Sequence, residues 1–268
     1  MLELIRPSNS VFPPQKILIY GVQGIGKNTF ASTFKAPVLL QVEDGSAALD
    51  LPAFPLATKF QQVVDIIQAL HGDHPYKTLI VDTADWLEPL LWTACCEHHG
   101  KDSIEAFGYG KGYIEVDRWW RHVMTGLDSL RHAKRMDIVV LAHSEVKRVE
   151  PPDSDPYDTY QLKMQKRAFA LWAEWSDMTL FLNYKIQIHK TKTGINEERT
   201  RATGSGDRAI YTSERPAWKA KSRWPLPDEI LIGKDKTWSA FHQQLEAATN
   251  GKYVSPYPVA TATTIKEK

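Results

Sequence analysis

Apolar residues fall along this chain in short unbroken runs separated by longer amphipathic stretches. "KILIYG" (16–21), Val38–Val42, Thr78–Val81 and "MDIVVLAHS" (136–144) are the runs; the third ends at Asp82 and the fourth at His143. Runs of this length with no polar alternation predict strands buried on both faces. Between them, Val63, Val64, Ile66, Ile67 and Leu70 form a helical stripe closed by Gly72. The region from Trp86 to Arg135 reads as helix, interrupted by the glycine-rich "FGYGKGY" at 107–113. "VKRVEPPDSDPYDTYQ" (146–161) is rich in proline and aspartate and predicts a mobile loop. "LKMQKRAFALWAEW" resumes a helix, "DMTLFLNYKIQIHK" gives one or two further strands, and 191–214 reads as a hairpin with a long polar tip. Strands alternating with helices imply a mainly parallel α/β sheet flanked by helices, with a C-terminal β-hairpin extension.

Composition changes this picture little. The 268 residues are 43% hydrophobic and 24% charged, with a formal net charge of +1, so a substantial core is expected and charge announces no partner. The sequence shows no apolar run near membrane-spanning length and no signal-peptide pattern, and a cytoplasmic location with no membrane association is expected. The two cysteines, Cys95 and Cys96, are adjacent and offer no disulfide framework. The expected organisation is an N-terminal arm over 1–13, one domain over 14–250 and a disordered tail over 251–268.

Candidate chemistry centres on "GVQGIGKNTF" (21–30). It follows the first strand, opens a helix, and matches G-x-x-x-x-G-K-[ST] except at the last position. Backbone N–H groups of such a loop wrap a phosphate, and Lys27 adds a point charge. Gly21, Gly24, Ile25, Gly26, Lys27, Asn28, Thr29 and Asp82 are the candidate nucleotide-binding residues. Asn28 stands where a hydroxyl normally ligates Mg²⁺, and its bulkier neutral amide is expected to weaken the use of Mg–ATP. Thr29 is turned about 100° away along the helix and does not replace it. Asp82 ends "TLIVD", where a carboxylate helps hold the metal, so Asn28 and Asp82 form the candidate, weakened Mg²⁺ site. Glu43, at the end of the second strand, is the candidate for orienting the attacking water, and His143 for sensing the γ-phosphate.

"IYGVQGIGKNTFA", "LLQVEDGSAALD", "TLIVDT", "GYGKGY", "VVLAHSEVK" and "YTSERPAWKAKSRWPLP" occur in an order that resembles phage RecA-like P-loop proteins, the single-strand annealing proteins of the Sak-four type grouped with the AAA ATPases. The resemblance spans about residues 14–232. It implies a RecA-like core, ATP with Mg²⁺, single-stranded DNA binding, and a role in phage recombination, with a single-strand binding protein as partner. It also implies ATPase activity, with Lys27, Glu43 and His143 as catalytic candidates. The family carries Ser or Thr where this chain has Asn28.

In a RecA-like oligomer, ring or filament, the loops facing the DNA axis would here be 107–113 and 145–167. Lys111, Lys147, Arg148, Lys163, Lys166 and Arg167 would meet phosphates, and Tyr109, Tyr113 and Tyr160 would stack on bases. Lys219 and Lys221, in "RPAWKAKSRW", are candidates to reach a neighbour's γ-phosphate. Trp119, Trp120, Trp172 and Trp175 fit core packing on amphipathic helices. Two other readings stay open: a nucleotide-binding regulatory or assembly protein with little hydrolysis, and a P-loop small-molecule kinase.

Overall fold

The computed structural model describes residues 12–45, 49–192, 198–232 and 237–257, with backbone alone at 186–192 and 198–205. In chain order the elements are β1 (Lys16–Gly21), α1 (Lys27–Ala31), β2 (Pro37–Gln41), α2 (Phe60–Ala69), β3 (Thr78–Asp82) and α3 (Ala84–His99). They continue with a 3-10 turn (Ile104–Phe107), α4 (Lys111–Ala133), β4 (Asp137–Val149), β5 (Tyr157–Leu162), α5 (Lys166–Trp175) and β6 (Met178–Lys192). The last are β7 (Glu198–Tyr211), β8 (Lys221–Ser222), β9 (Glu229–Ile232) and α6 (Ser239–Ala248).

The sheet runs β2-β3-β4-β1-β6-β7-β9. Its first five strands are parallel, and β7 and β9 join antiparallel. This is the mainly parallel sheet flanked by helices, with a C-terminal hairpin, that the alternation of runs implies. The parallel strands are apolar throughout because both faces are covered. The period-two alternation of side chains sends Leu18, Tyr20, Leu40, Val81 and Val140 to one face. Ile17, Ile19, Leu39, Ile80 and Val139 go to the other.

On the first face α2, α3, α4 and α5 pack through Val63, Leu87, Leu91, Trp120, Leu127 and Trp172. On the second face lie α1 and α6, where Trp238 stacks on Phe30 at 4.9 Å and 21°. Burial pushes His242 of α6 down to about 4, leaving a neutral ring between Thr33 Oγ1 (2.8 Å from Nε2) and the Tyr253 hydroxyl (2.5 Å from Nδ1). Tyr253 is itself buried, so residues 251–253 close over this face instead of leaving it as a free tail. The expected N-terminal arm up to Val11 and the tail from 258 onward lie outside the described residues, as does the hairpin tip at 193–197.

The prolines and aspartates at 151–156 mislead in one respect. β4 does not end at His143; it continues to Val149 and pairs antiparallel with β5, from Ser144 opposite Leu162 to Val149 opposite Tyr157. The stretch expected to be a mobile loop is therefore mostly a hairpin, with only 150–156 as its turn. No helix among the described residues is long and apolar enough to cross a membrane.

Candidate nucleotide site

The register brings the chemistry to one edge. Gly21 lies opposite both His143 of β4 and Leu182 of β6, and Gln41 lies opposite Asp82. Lys27, Glu43, Asp82 and His143 thus meet at the carboxyl ends of adjacent strands, where open α/β sheets bind ligands. Gly21 has to be glycine: a Cβ there would lie 2.3 Å from the Leu182 carbonyl oxygen and force β1 and β6 apart. The loop then turns through Gly24 and Gly26, both at positive φ (73° and 100°), into α1.

Lys27 is 6% exposed, and its ammonium donates to the carbonyls of Gly21 (3.3 Å) and Val22 (3.5 Å) inside the loop. Burial pulls its pKa down, against the opposing charges of Asp85, Asp82 and Glu43. Asp82 is buried, which pushes its carboxyl up to about 6 despite a hydrogen bond from Asn28. In that bond Asn28 Nδ2 donates to Asp82 Oδ2 at 2.6 Å. Thr83 Oγ1 donates to Glu43 Oε2 at 3.3 Å, and the Asp82–Thr83 peptide is cis.

Asp85 is the site residue that the strand-end pattern missed, although "DTAD" places it three residues past Asp82 in the first turn of α3. Its two oxygens accept from His143: Oδ1 from the backbone N–H and Oδ2 from Nδ1–H, each at 2.9 Å. Burial pushes Asp85 up, but these bonds and the proximity of the imidazole outweigh it and leave the carboxyl below its ordinary value. The ring is therefore fixed in one orientation with Nδ1 committed. A phosphate oxygen approaching Nε2 needs a proton there, and Asp85 then carries the counter-charge. Glu43 Oε2 lies 3.9 Å from the same Nδ1.

Two further residues reach the loop from the hairpin, with no local sequence signal. Tyr184 Oη donates to the Gly24 carbonyl at 3.4 Å. Arg208, opposite Tyr184 in the β6–β7 register, places Nη1 2.8 Å from the position a Cβ on Gly26 would take.

One turn beyond Asp85, Glu88 is buried and accepts the Gln165 N–H with both oxygens, at 3.0 and 3.3 Å. Burial raises its pKa from 4.5 to about 7; Gln165 and Lys147 oppose the rise, and Asp85 and Glu145 add to it. Because the folded value is the higher one, its contribution to stability is full below the unfolded value and lost as pH rises through about 7. Urea unfolding of Glu88→Gln against the unsubstituted protein is expected to show a difference that shifts in favour of the variant between about pH 4.5 and 7. A difference that stays constant over that range contradicts the assignment.

The basic residues expected to meet DNA divide into two groups. Lys147 pairs with Glu145 (2.8 Å), Arg148 with Asp158 (3.8 Å), and Arg167 with Asp117 of α4 (2.6 Å). Lys111, Lys163 and Lys166 are exposed. The Arg167–Asp117 pair ties the first turn of α5 to the beginning of α4, so Lys111 and Lys166 start two helices joined at that end. Lys163 donates its backbone N–H to the His143 carbonyl (2.9 Å). Of the three tyrosines, Tyr109 is fully exposed, Tyr113 donates to Glu105 (2.9 Å), and Tyr160 packs on Phe181 at 5.0 Å. Tyr160 is half-buried beside Phe181, which in turn stacks on Trp218.

Lys219 and Lys221 occupy different ends of the sheet. The Lys219 ammonium bonds Glu214, and its backbone N–H and C=O bracket the Tyr20 hydroxyl (3.0 and 2.6 Å). Lys221 opens β8, which pairs with Met178 and Thr179 at the beginning of β6, the opposite end from the phosphate loop. Trp120 and Trp172 are wholly buried in the core, and Trp119 and Trp175, partly buried, pack against it.

A family model described as an AAA domain matches residues 13–224. The chain belongs to the AAA domain family. Among solved structures, this AAA domain is similar to the crystal structure of the RadB recombinase, with a TM-score of 0.44 and 12% identity, covering 83% of this chain and 89% of that one. No curated protein sequence matches the chain.

AAA domains in general use ATP with magnesium. The loop fits the phosphate part of that pair: its glycines hold positive φ, and a buried ammonium is directed into it. The metal does not fit. Mg²⁺ requires oxygen donors at about 2.0–2.1 Å in near-octahedral array. Here Asn28 offers an N–H to Asp82, and the two side chains are already joined.

Proposed function

We propose that this AAA domain is an ATP-binding, RecA-like protein that acts on single-stranded DNA, promoting annealing or recombination in phage DNA metabolism within the host cytoplasm. It works as a ring or filament, alongside a single-strand binding protein. The observation that carries the reading is the course of β4. It meets the phosphate loop at His143, then runs without a break into the hairpin that bears Lys147 and Arg148. Lys163, at the foot of that hairpin, is hydrogen-bonded to His143 itself. A γ-phosphate contact at His143 therefore acts on the backbone that carries the proposed DNA face.

Fluorescence anisotropy with a labelled single strand tests this. Affinity is expected to fall steeply with salt. A slope of log affinity against log salt of about −2 would follow from Lys111, Lys163 and Lys166 alone, at about −0.7 per phosphate neutralised. Alanine at each of the three is expected to make the slope shallower by about 0.7. A flat salt response overturns the DNA assignment, and so does failure of complementary oligonucleotides to anneal faster with the protein than without it.

A second reading is favoured by the Asn28–Asp82 bond: a nucleotide-binding regulatory or assembly protein with little hydrolysis. It predicts ATP binding with no acceleration of annealing. In either case we assign Lys219 and Lys221 to a neighbouring copy's site; Lys221 stands at the end of the sheet remote from this chain's own loop.

A further inference from the structure

We propose that Arg208 is a ligand for the nucleotide's phosphate chain, supplied from within the same protomer, and that with Lys27 it provides positive charge the site does not draw from a metal. This rests on the reading that nucleotide binds at the loop.

Three observations converge on it. The first is position: Arg208 Nη1 stands 2.8 Å, and Trp238 Cζ2 3.1 Å, from where a Cβ on Gly26 would be. Gly26, immediately before Lys27, is the residue whose bare Cα admits the guanidinium.

The second is the local backbone. The β6–β7 register shifts between Tyr184 and Ile186, next to the Tyr184–Arg208 pair. Bulges of this kind re-aim side chains. Here both members of the pair are turned to the loop, Tyr184 onto the Gly24 carbonyl and Arg208 onto Gly26.

The third is charge. Lys185, beside Tyr184, is committed to Glu229, whereas Arg208 has no ion pair among the described residues. A guanidinium that no carboxylate among the described residues engages, beside a phosphate loop, is matched to a bidentate phosphate contact.

The chemistry of the site gives this cation a task. A nucleotide's phosphate chain is a concentrated anion, and Lys27 is one ammonium weakened by burial. With Asn28 and Asp82 bonded to each other, a second cation has to come from the protein. Arg208 lies against the loop's turn at Gly26, and it cannot lose its charge.

Calorimetric titration with ATP in EDTA tests the proposal on the full chain. The unsubstituted protein is expected to bind without magnesium, Arg208→Ala to bind about tenfold or more weakly, and Arg208→Lys to recover part of the loss. The salt dependence of ATP affinity is expected to be shallower in Arg208→Ala, a change that a purely structural prop would not produce. Thermal melting without nucleotide shows whether each variant is folded; if Arg208→Ala is not, Arg208→Gln and Arg208→Lys carry the comparison.

ATP affinity in a folded Arg208→Ala or Arg208→Gln within twofold of the original overturns the proposal. ATP binding by the unsubstituted protein only when magnesium is added overturns the charge assignment. Failure of the unsubstituted protein to bind ATP under either condition overturns the nucleotide reading itself, and the proposal with it.

Discussion

Asn28→Ser is expected to raise ATP hydrolysis by about a hundredfold or more and to make it depend on magnesium. The asparagine acts in two ways. Its amide nitrogen occupies Asp82 Oδ2 with a 2.6 Å hydrogen bond, and it leaves no hydroxyl where the loop pattern places one. Serine removes both obstacles. It is too short to span to Asp82, so the carboxylate is released, and it adds a hard oxygen donor at the first turn of α1. Burial pushes the Asp82 carboxyl up to about 6, and a cation beside it would favour the charged form. Glu43 and His143 stand at the neighbouring strand ends in the original protein, so the substitution has to supply only the missing ligand. Phosphate release measured with and without magnesium is the readout. Unchanged hydrolysis and unchanged nucleotide affinity in Asn28→Ser would show that Asn28 is not what limits the site.

Trp172→Ala is expected to cost about 3–5 kcal/mol of stability, close to the total margin of many domains. Trp172 of α5 meets Trp120 of α4 edge to face, with ring centroids 5.4 Å apart at 76°, and both rings are wholly buried. Trp175 abuts the same ring at 5.3 Å. Removing one indole opens a cavity between two helices that are also joined by the exposed Arg167–Asp117 pair and by the hydrogen bond from Trp175 Nε1 to Asp128 Oδ2 at 2.9 Å, and exposed pairs contribute little. The indole N–H groups of Trp120 and Trp172 have no hydrogen-bond partner among the described residues. Trp172→Phe therefore loses packing volume but no hydrogen bond, and is expected to cost much less than alanine. Chemical unfolding of the two variants distinguishes these costs. A loss below about 1 kcal/mol for Trp172→Ala would mean that α5 is not anchored through this ring.

The parts of the site legible in the sequence are those whose chemistry is fixed by near neighbours. The loop before Lys27 and the acid after "TLIV" are local patterns, and the parallel register then carries them to one edge. Asp85 was within reach, three residues from Asp82, but its role depends on β4 bringing His143 to it across 58 residues. Arg208 had no local signal at all. Its place beside Gly26 follows from a hairpin register and a bulge far along the chain. The β4–β5 hairpin was concealed for a different reason. It stands off the main sheet, so neither of its faces is fully apolar, and its exposed Val146 and paired Lys147 blur the alternation that identifies a strand. The basic face was legible as composition only, because the acids that pair with Lys147, Arg148 and Arg167 arrive partly from other elements.

β4 has one more consequence, which is mechanical. Its inner half is clamped on both sides, by β1 and by β3, while among the described strands its outer half is paired with β5 alone. His143 is the last residue of β4 paired with β1, so beyond it the strand is held like a cantilever supported at the phosphate loop. From His143 to Val149 the projecting arm is about 20 Å long at about 3.3 Å per residue. A tilt of about 5° at the support would carry the tip about 2 Å, the scale on which a side chain makes or loses a phosphate contact. A small displacement at one imidazole is thereby magnified at the basic surface without any hinge residue between them.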